Sequence, residues 1–439
     1  MPDHATSSDA GVQAQLDRLW ALSPGADVLG LERITRLLTR LGNPERHLPP
    51  VFHVAGTNGK GSTCAFLRGT LEAAGHRVHV YSSPHLVRFN ERIRLAGTLI
   101  GDRDLASLLG EILDQADGIG ASFFEVTTAA AFLAFARTPA DACVIEVGLG
   151  GRLDATNVVV PLVTGIAALG IDHEAFLGDT LVGIAGEKAG IAKRDVPLVT
   201  MDYPAPLADR IAQVAAAVGA PVFARGAAWT SSGEGGRLSF NEFGYAYEGP
   251  LPSLTGDYQA DNFALALAMI RRQQALVVPD AALHVAAETT RWPARLQRLG
   301  EGPLASRFAV PRGIWVDGAH NPSAAGPVAA AWKSIAAGKP TALVIGMLAN
   351  KDADAVLALL TDVGAPSHVV AVPVAGHPCH TPETLAGIAR SRGAQASTAP
   401  TLAAAIDLLS AERKAASVLI AGSLYLAGEA LAANAEPPS

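Results

Sequence analysis

The stretch Val51-Phe-His-Val-Ala-Gly56-Thr57-Asn58-Gly59-Lys60-Gly61-Ser62-Thr63 constrains the fold more than any other part of the chain. A short apolar strand runs into a glycine-rich turn, and the turn runs into a lysine and two hydroxyl residues that open a helix. Glycines let backbone N–H groups converge, a helix N-terminus adds positive potential, and Lys60 adds a mobile cation. Together these suit the oxygens of a phosphate. The stretch departs from the usual Gly-x-x-x-x-Gly-Lys loop, because position 54 is Val and Gly61 follows the lysine. An ordinary turn rich in small residues is the bland alternative, but it does not require these features to coincide.

The alternation continues along the chain. Val78–Tyr81, Ala142–Val147 and Leu162–Ala168 are further short apolar runs, separated by helical stretches such as Ser62–Ala74, Val126–Ala136 and Thr180–Lys193. Leu31, Ile34, Leu38 and Leu41 mark an amphipathic helix before the first strand. This pattern predicts an α/β fold whose N-terminal domain is a P-loop-type, mostly parallel sheet with helices on both faces. Arg237–Glu248 predicts a β-hairpin or small antiparallel excursion, and Tyr258–Arg272 a helix. Glycine and proline punctuation over 295–312 marks a boundary. Beyond it, Gly313–Val316, Ala342–Ile345, Val369–Val372 and Val418–Ala421 predict a smaller, Rossmann-like C-terminal α/β domain. The expected division is 1–24 as polar tail and helix, 25–296 and 297–433 as domains, and 434–439 as a frayed tail.

Composition excludes several classes. With 49% hydrophobic and 17% charged residues, the chain of 439 residues can bury a sizeable core. A net charge of −7 argues against broad nucleic-acid or anionic-membrane binding. No segment reads as a membrane span, and Met1–Val12 lacks the pattern of a secretory signal. Cys64, Cys143 and Cys379 are widely spaced, which suits a reducing cytoplasm. His377-Pro-Cys379-His380 is too crowded to close one tetrahedral metal site alone and reads as a polar loop.

Several segments place chemistry at strand ends, where open α/β sheets bind ligands. Glu146 ends a buried run and precedes Val-Gly-Leu-Gly-Gly-Arg152-Leu153-Asp154-Ala155-Thr-Asn157. A buried carboxylate there is costly unless it meets a cation such as Mg²⁺ or is hydrogen-bonded at a helix start. Asp172-His173-Glu174 follows the next strand at the same edge. Imidazole is an unusual ligand for a hard cation, so by composition His173 reads first as a hydrogen-bonding residue. Lys188 lies on a helix bounded by Gly186 and Gly190, either solvated or facing that edge, and Ser82-Ser83 offer hydroxyls. In the second domain a strand ends at Asp317, ahead of His320-Asn321-Pro322. Asp at such a position can accept from a ribose hydroxyl. Arg291 and Arg295 precede the boundary, where an arginine can neutralise a transferring phosphoryl group or make a surface contact.

Taken together, Gly56-Thr-Asn-Gly-Lys-Gly-Ser62, Ser82-Ser-Pro-His-Leu-Val-Arg-Phe-Asn-Glu-Arg-Ile-Arg94, Glu146–Asn157, Gly186-Glu-Lys-Ala-Gly-Ile191 and Asp317–Pro322 resemble the bacterial folylpolyglutamate synthase/dihydrofolate synthase family of the Mur ligase superfamily. The resemblance spans roughly residues 25–430. It implies a cytoplasmic, monomeric, ATP-dependent ligase acting on small molecules. L-glutamate would be joined to dihydropteroate and to reduced folates through an acyl phosphate, with Mg²⁺, in two ions, as cofactor. It assigns nucleotide binding to Thr57, Asn58, Gly59, Lys60, Gly61, Ser62, Asn262, Arg295 and Asp317. Metal binding falls to Ser62, Ser83, Glu146 and His173, and Lys188 matches a carbamylated lysine. The pterin pocket maps to Leu29, Gly30, Leu31, Glu32, to Ser122, Phe123, Phe124, Glu125, and to Leu153, Asp154 and Ala155. His320, with Lys60 and Lys188, is a candidate for the catalytic side of the cleft.

One departure stands out: the family commonly has Pro-Gly-Arg before its second domain, and this chain has Pro293-Ala294-Arg295. Three other readings remain at this point. A monofunctional folylpolyglutamate synthase would use only one acceptor. A Mur-type peptidoglycan-precursor ligase would need an extra domain before its phosphate loop, and only about fifty residues precede Gly56. A regulatory protein that has lost catalysis would not be expected to keep Lys60, Glu146, His173 and Lys188 together.

Overall fold

A computed structural model of the chain describes residues 6–22, 29–308, 310, 312–362, 368–412 and 415–439. The expected boundary between residues 24 and 25 lies outside the described residues. The chain forms two compact units. The first runs to Ser253 and resumes over Gln259–Arg291, while the second comprises Leu254–Tyr258 and Trp292–Pro438.

The first unit is built on eight strands. They are β1 (Val51–Ala55), β2 (Val78–Tyr81), β3 (Ile93–Leu95), β4 (Thr98–Leu99), β5 (Ala142–Glu146), β6 (Val163–Ile166), β7 (Leu198–Thr200) and β8 (Val222–Ala224). Their order is β4-β3-β2-β5-β1-β6-β7-β8. From β2 to β8 neighbouring strands are parallel, and β3 and β4 turn back antiparallel at one edge. Every residue of β1, β5 and β6 is buried, as parallel strands covered on both faces require. The register pairs Val54 with Glu146 and Ala55 with Ile166. The carboxyl ends of three adjacent strands therefore come level, and their loops share one edge.

The helices of this unit include α1 (Ala10–Leu22), α2 (Glu32–Arg40), α3 (Lys60–Ala73), α4 (Asp102–Gln115), α5 (Phe123–Arg137), α6 (Glu174–Leu177) and α7 (Leu181–Ala189). Ile34, Leu37 and Leu38 of α2 are buried, as their spacing predicts. They share a core with α1, α4, α5 and with Cys143 and Ile145 of β5. Fully burying one large apolar side chain such as Phe132 contributes roughly 1.5–3 kcal/mol. α3 begins at Lys60, two residues before the expected start, because Gly59 caps it at φ +81°. The expected hairpin is a three-stranded antiparallel sheet, β9 (Trp229–Glu234), β10 (Arg237–Glu242) and β11 (Tyr245–Pro250). Of β9 only Trp229 is buried, so this polar strand has no apolar alternation to reveal it.

The second unit holds β12 (Gln297–Arg298), β13 (Ile314–Val316), β14 (Thr341–Ile345), β15 (His368–Ala371), β16 (Ala396–Thr398) and β17 (Ser417–Ala421). Their order is β12-β13-β17-β14-β15-β16, parallel apart from β12. The second alternating series thus forms a doubly covered α/β sheet. Among the described residues no helix is long and apolar enough to cross a membrane.

Candidate active site

The loop between β1 and α3 is held open from behind. The N–H groups of Thr57 and Asn58 donate to the Ala168 carbonyl at 2.8 and 3.1 Å, and the Thr57 hydroxyl donates to the Gly170 carbonyl at 2.9 Å. A Cβ at Gly59 would collide with the Asn262 side-chain oxygen, so Asn262 lies directly on the loop. The Asn262 amide is oriented by Gln259, whose Oε1 accepts from it at 3.0 Å. Lys60 Nζ donates to the carbonyls of Gly56 and Thr57 at 3.1 and 3.3 Å, spanning the loop it closes. With the helix starting at Lys60, the N–H groups of its first turn lack partners within the helix and are available to an anion.

Glu146, buried at the end of β5, accepts from the Ser83 N–H at 3.4 Å. Ser62 is buried on the first turn of α3 at the same edge. Burial, then the Glu146 carboxylate, hold the Cys64 thiol well above its ordinary value, and Lys60 opposes them, so both charges lie close to Cys64. Lys188 is buried on α7. Burial, then the neighbouring Lys60 cation, bring its ammonium down to about 7, against Asp172 and Asp154. Lys188 is thus not a solvated helix cation. The turn after β5 docks tightly on α7. A Cβ on Gly151 would lie 2.8 Å from the Glu187 carbonyl oxygen, and the Arg152 N–H donates to that oxygen at 2.8 Å. His173 is exposed and sits at φ +56° just before α6.

On the other side of β5, Ser122 caps α5. Its hydroxyl accepts from the Glu125 N–H at 3.2 Å, and Glu125 Oε2 accepts from the Ser122 N–H at 2.6 Å. Arg33 donates to the same Glu125 oxygen at 3.0 Å, which ties the segment after Leu29–Glu32 to Ser122–Glu125. Phe123 stacks on Trp20 with ring centroids 5.1 Å apart and meets Phe89 edge-on, so it belongs to the core. Phe124 is half-exposed and lies 6.0 Å from Tyr81. Asp154 is buried and accepts from the N–H groups of Leu149 and Thr156 at 2.8 and 3.0 Å. Burial holds its carboxyl above the usual range. Ala155 is buried and Leu153 half-buried beside it. A groove of about 740 Å³ opens at the opposite, amino-terminal edge, between α2 and the starts of β1 and β6, and Leu31 is its one member from the expected pocket.

In the second unit, Asp317 follows β13 and is buried. Its oxygens accept from the Leu296 and Ala319 N–H groups, both at 2.7 Å, so it sets the turn that carries Arg295. Burial raises its carboxyl and Arg295 opposes that rise. His320 Nδ1 lies 2.8 Å from the Gly318 carbonyl and therefore carries the proton. His377 stacks on Tyr425 at 3.8 Å, Cys379 Sγ accepts from the Val374 N–H, and His380 Nε2 donates to the Lys351 carbonyl.

Residues 296–424 match the family model of the Mur ligase, glutamate ligase domain. The chain is 37% identical over 337 residues to the dihydrofolate synthase/folylpolyglutamate synthase of Bacillus subtilis, covering 73% of this chain and 76% of that one. It is 33% identical over 417 residues to the folylpolyglutamate synthase of Lacticaseibacillus casei, covering 90% and 92%. Its fold matches that of E. coli FolC in complex with DHPP and ADP with a TM-score of 0.87, at 33% identity over 98% of each chain. The chain belongs to the dihydrofolate synthase/folylpolyglutamate synthase family. It is an ATP-dependent ligase of the Mur type.

A solved bifunctional folylpolyglutamate synthase/dihydrofolate synthase, matched with a TM-score of 0.83 at 31% identity over 98% of this chain and 99% of that one, holds Mn, AMPPNP and L-glutamate. Among the described residues no three His, Cys, Asp or Glu side chains gather as ligands. Glu146 with the Ser62 and Ser83 hydroxyls is an oxygen-only donor set, which fits Mg²⁺ because that ion keeps waters and substrate phosphates as its remaining ligands. Sequence reasoning passed over the interior of Ser82–Arg94. There Glu91 accepts from the N–H groups of Leu86, Val87 and Arg88 at 2.8, 3.0 and 2.7 Å. Arg92 is buried, donates to His85 Nδ1 at 3.0 Å and lies 5.3 and 5.6 Å from the Phe89 and Phe123 rings. The run Arg-Phe-Asn-Glu-Arg-Ile-Arg looks like a solvated charged stretch, and nothing in its spacing signals that Arg92 is inside.

Proposed function

We propose that this ligase joins L-glutamate to both dihydropteroate and tetrahydrofolate-type acceptors, through an acyl phosphate, as a monomer in the cytoplasm. The observation that carries this reading is the convergence of the Gly56–Ser62 cradle, Lys60, buried Glu146 and a readily deprotonated Lys188 at one sheet edge. In this reading the N–H groups of α3's first turn and Lys60 bind the nucleotide phosphates, and Asn262 packs against that nucleotide. Glu146, Ser62 and Ser83 hold Mg²⁺, which supplies Lewis-acid neutralisation of phosphate charge. His173 serves as a further ligand from its exposed loop. Lys188, as a neutral amine, adds carbon dioxide at Nζ, releases a proton and becomes a carbamate. Arg295 and Asp317 are assigned to nucleotide binding and His320 to the glutamate side by their place in the family motifs of the second unit. The substrate carboxylate attacks the terminal phosphorus and ADP leaves. The glutamate amine then attacks the acyl carbon and phosphate leaves. The loops at 29–32, 122–125 and 153–155 hold the pterin, with Phe124 as its aromatic contact.

A single-acceptor enzyme is the second reading, because the L. casei relative is named for folylpolyglutamate synthesis alone. ADP release with Mg-ATP and L-glutamate decides between them. Glutamate-dependent release with each acceptor, each competitively inhibiting the other, is the expected result. Release with tetrahydrofolate alone selects the single-acceptor reading, and release with neither overturns both.

A further inference from the structure

His53 is the one polar residue in β1, fully buried in the middle of the sheet. Desolvating an imidazole there is unfavourable, and an apolar side chain would fill the place without that cost. Its surroundings fix what it does. Thr156 is fully buried, and its one hydroxyl proton goes to Asp154 Oδ1 at 2.5 Å. His53 Nε2, 2.9 Å from the same hydroxyl oxygen, must therefore be the donor to it. Nδ1 is buried without a partner, so the ring stays neutral with its proton on Nε2. Burial, then the nearby Lys193 cation, agree by bringing its proton affinity down to about 3.

The result is one directed chain. His53 donates to Thr156, Thr156 donates to Asp154, and Asp154 receives the Leu149 N–H and the Thr156 N–H. It connects the rigid centre of the sheet to the turn at 148–155. We infer that His53 is a positioning residue for the acceptor substrate: through the Thr156 hydroxyl it fixes the Asp154 carboxylate, and with it the backbone that presents Leu153–Ala155. This rests on the reading that 153–155 meets the pterin.

The test compares His53→Leu, which removes the donor, with His53→Gln, which keeps an N–H, and Thr156→Val. Binding of dihydropteroate is read by pterin fluorescence, and binding of a non-hydrolysable ATP analogue is the control. His53→Leu is expected to weaken dihydropteroate about tenfold, the size of one buried hydrogen bond, with nucleotide binding unchanged. His53→Gln should restore most of the loss, and His53→Leu should add nothing to Thr156→Val. Equal dihydropteroate binding by His53→Leu and wild type overturns the proposal, as does an equal loss for both ligands. Wild type that fails to bind dihydropteroate at all overturns instead the functional reading beneath it. If His53→Leu does not fold, Thr156→Val decides alone, and unchanged dihydropteroate binding in it is the overturning result.

Discussion

Lys188 shows what a single buried residue contributes. Its ammonium is brought to about 7 by burial and by Lys60, whereas the unfolded chain keeps a lysine near 10.5. Between those values the unfolded state binds more protons, so this residue makes stability rise with pH from about 7 towards 10.5. Lys188→Met removes the penalty. We expect it to melt several degrees above wild type at neutral pH, the gain shrinking as pH approaches 10.5, in thermal unfolding followed by circular dichroism. The same variant should lose ligase activity. If the neutral amine adds carbon dioxide, activity rises with added bicarbonate above pH 7 and not below it, and Lys188→Ala is partly rescued by a short carboxylate such as formate. Absence of rescue together with bicarbonate independence would show that the amine itself is the working group. At Lys60 the expectation is simpler: Lys60→Ala should lower kcat/KM for ATP by roughly 10²–10³, typical for removing a donor that stabilises developing charge.

At the scale of elements, the turn before the second unit's sheet has an unusual backbone where the chain carries Pro293-Ala294-Arg295. Ala294 and Leu296 sit at φ +56° and +43°, on either side of Arg295. A left-handed backbone disfavours any residue with a Cβ, and the turn is held by the Asp317 carboxylate and by the Gln297 side chain, which accepts from the Ala294 N–H at 3.0 Å. Alanine to glycine ordinarily costs about 1 kcal/mol. Here Ala294→Gly should cost nothing or gain up to about 1 kcal/mol in urea unfolding, and a normal loss would refute the strain. Such geometry marks the limit of what the sequence discloses. The β1–loop–α3 unit and the strands of both sheets are legible because buried parallel strands are continuous apolar runs and the loop is punctuated by glycine. Glu146 and Lys188 are legible as candidates through their place after or between such runs. The sign of Ala294's φ, the burial of Arg92, the polar strand β9 and the His53–Thr156–Asp154 chain are not legible. Each depends on neighbours distant in sequence, such as position 156 against position 53. Local pattern cannot report a partner about a hundred residues away.

The whole molecule carries a net charge of −7, and its proposed substrates, Mg-ATP, folates and glutamate, are all anionic. The net charge as a whole therefore repels them at long range. In the proposed reading, recognition rests on short-range groups at the sheet edge, the first turn of α3 and Lys60, where a charge is effective at contact while its field is weak at a distance. A protein steered by an extended basic surface loses affinity steeply as salt rises. This enzyme should behave in the opposite sense, because screening removes the repulsion between an acidic chain and an acidic substrate and leaves contacts shorter than the Debye length largely intact. With saturating magnesium and glutamate, kcat/KM for ATP should hold level or rise modestly as sodium chloride goes from about 50 to about 300 mM, over which the Debye length falls from roughly 14 to roughly 6 Å. A tenfold fall across that range would mean that the substrates are collected by a broad positive field, contrary to the charge balance of the chain.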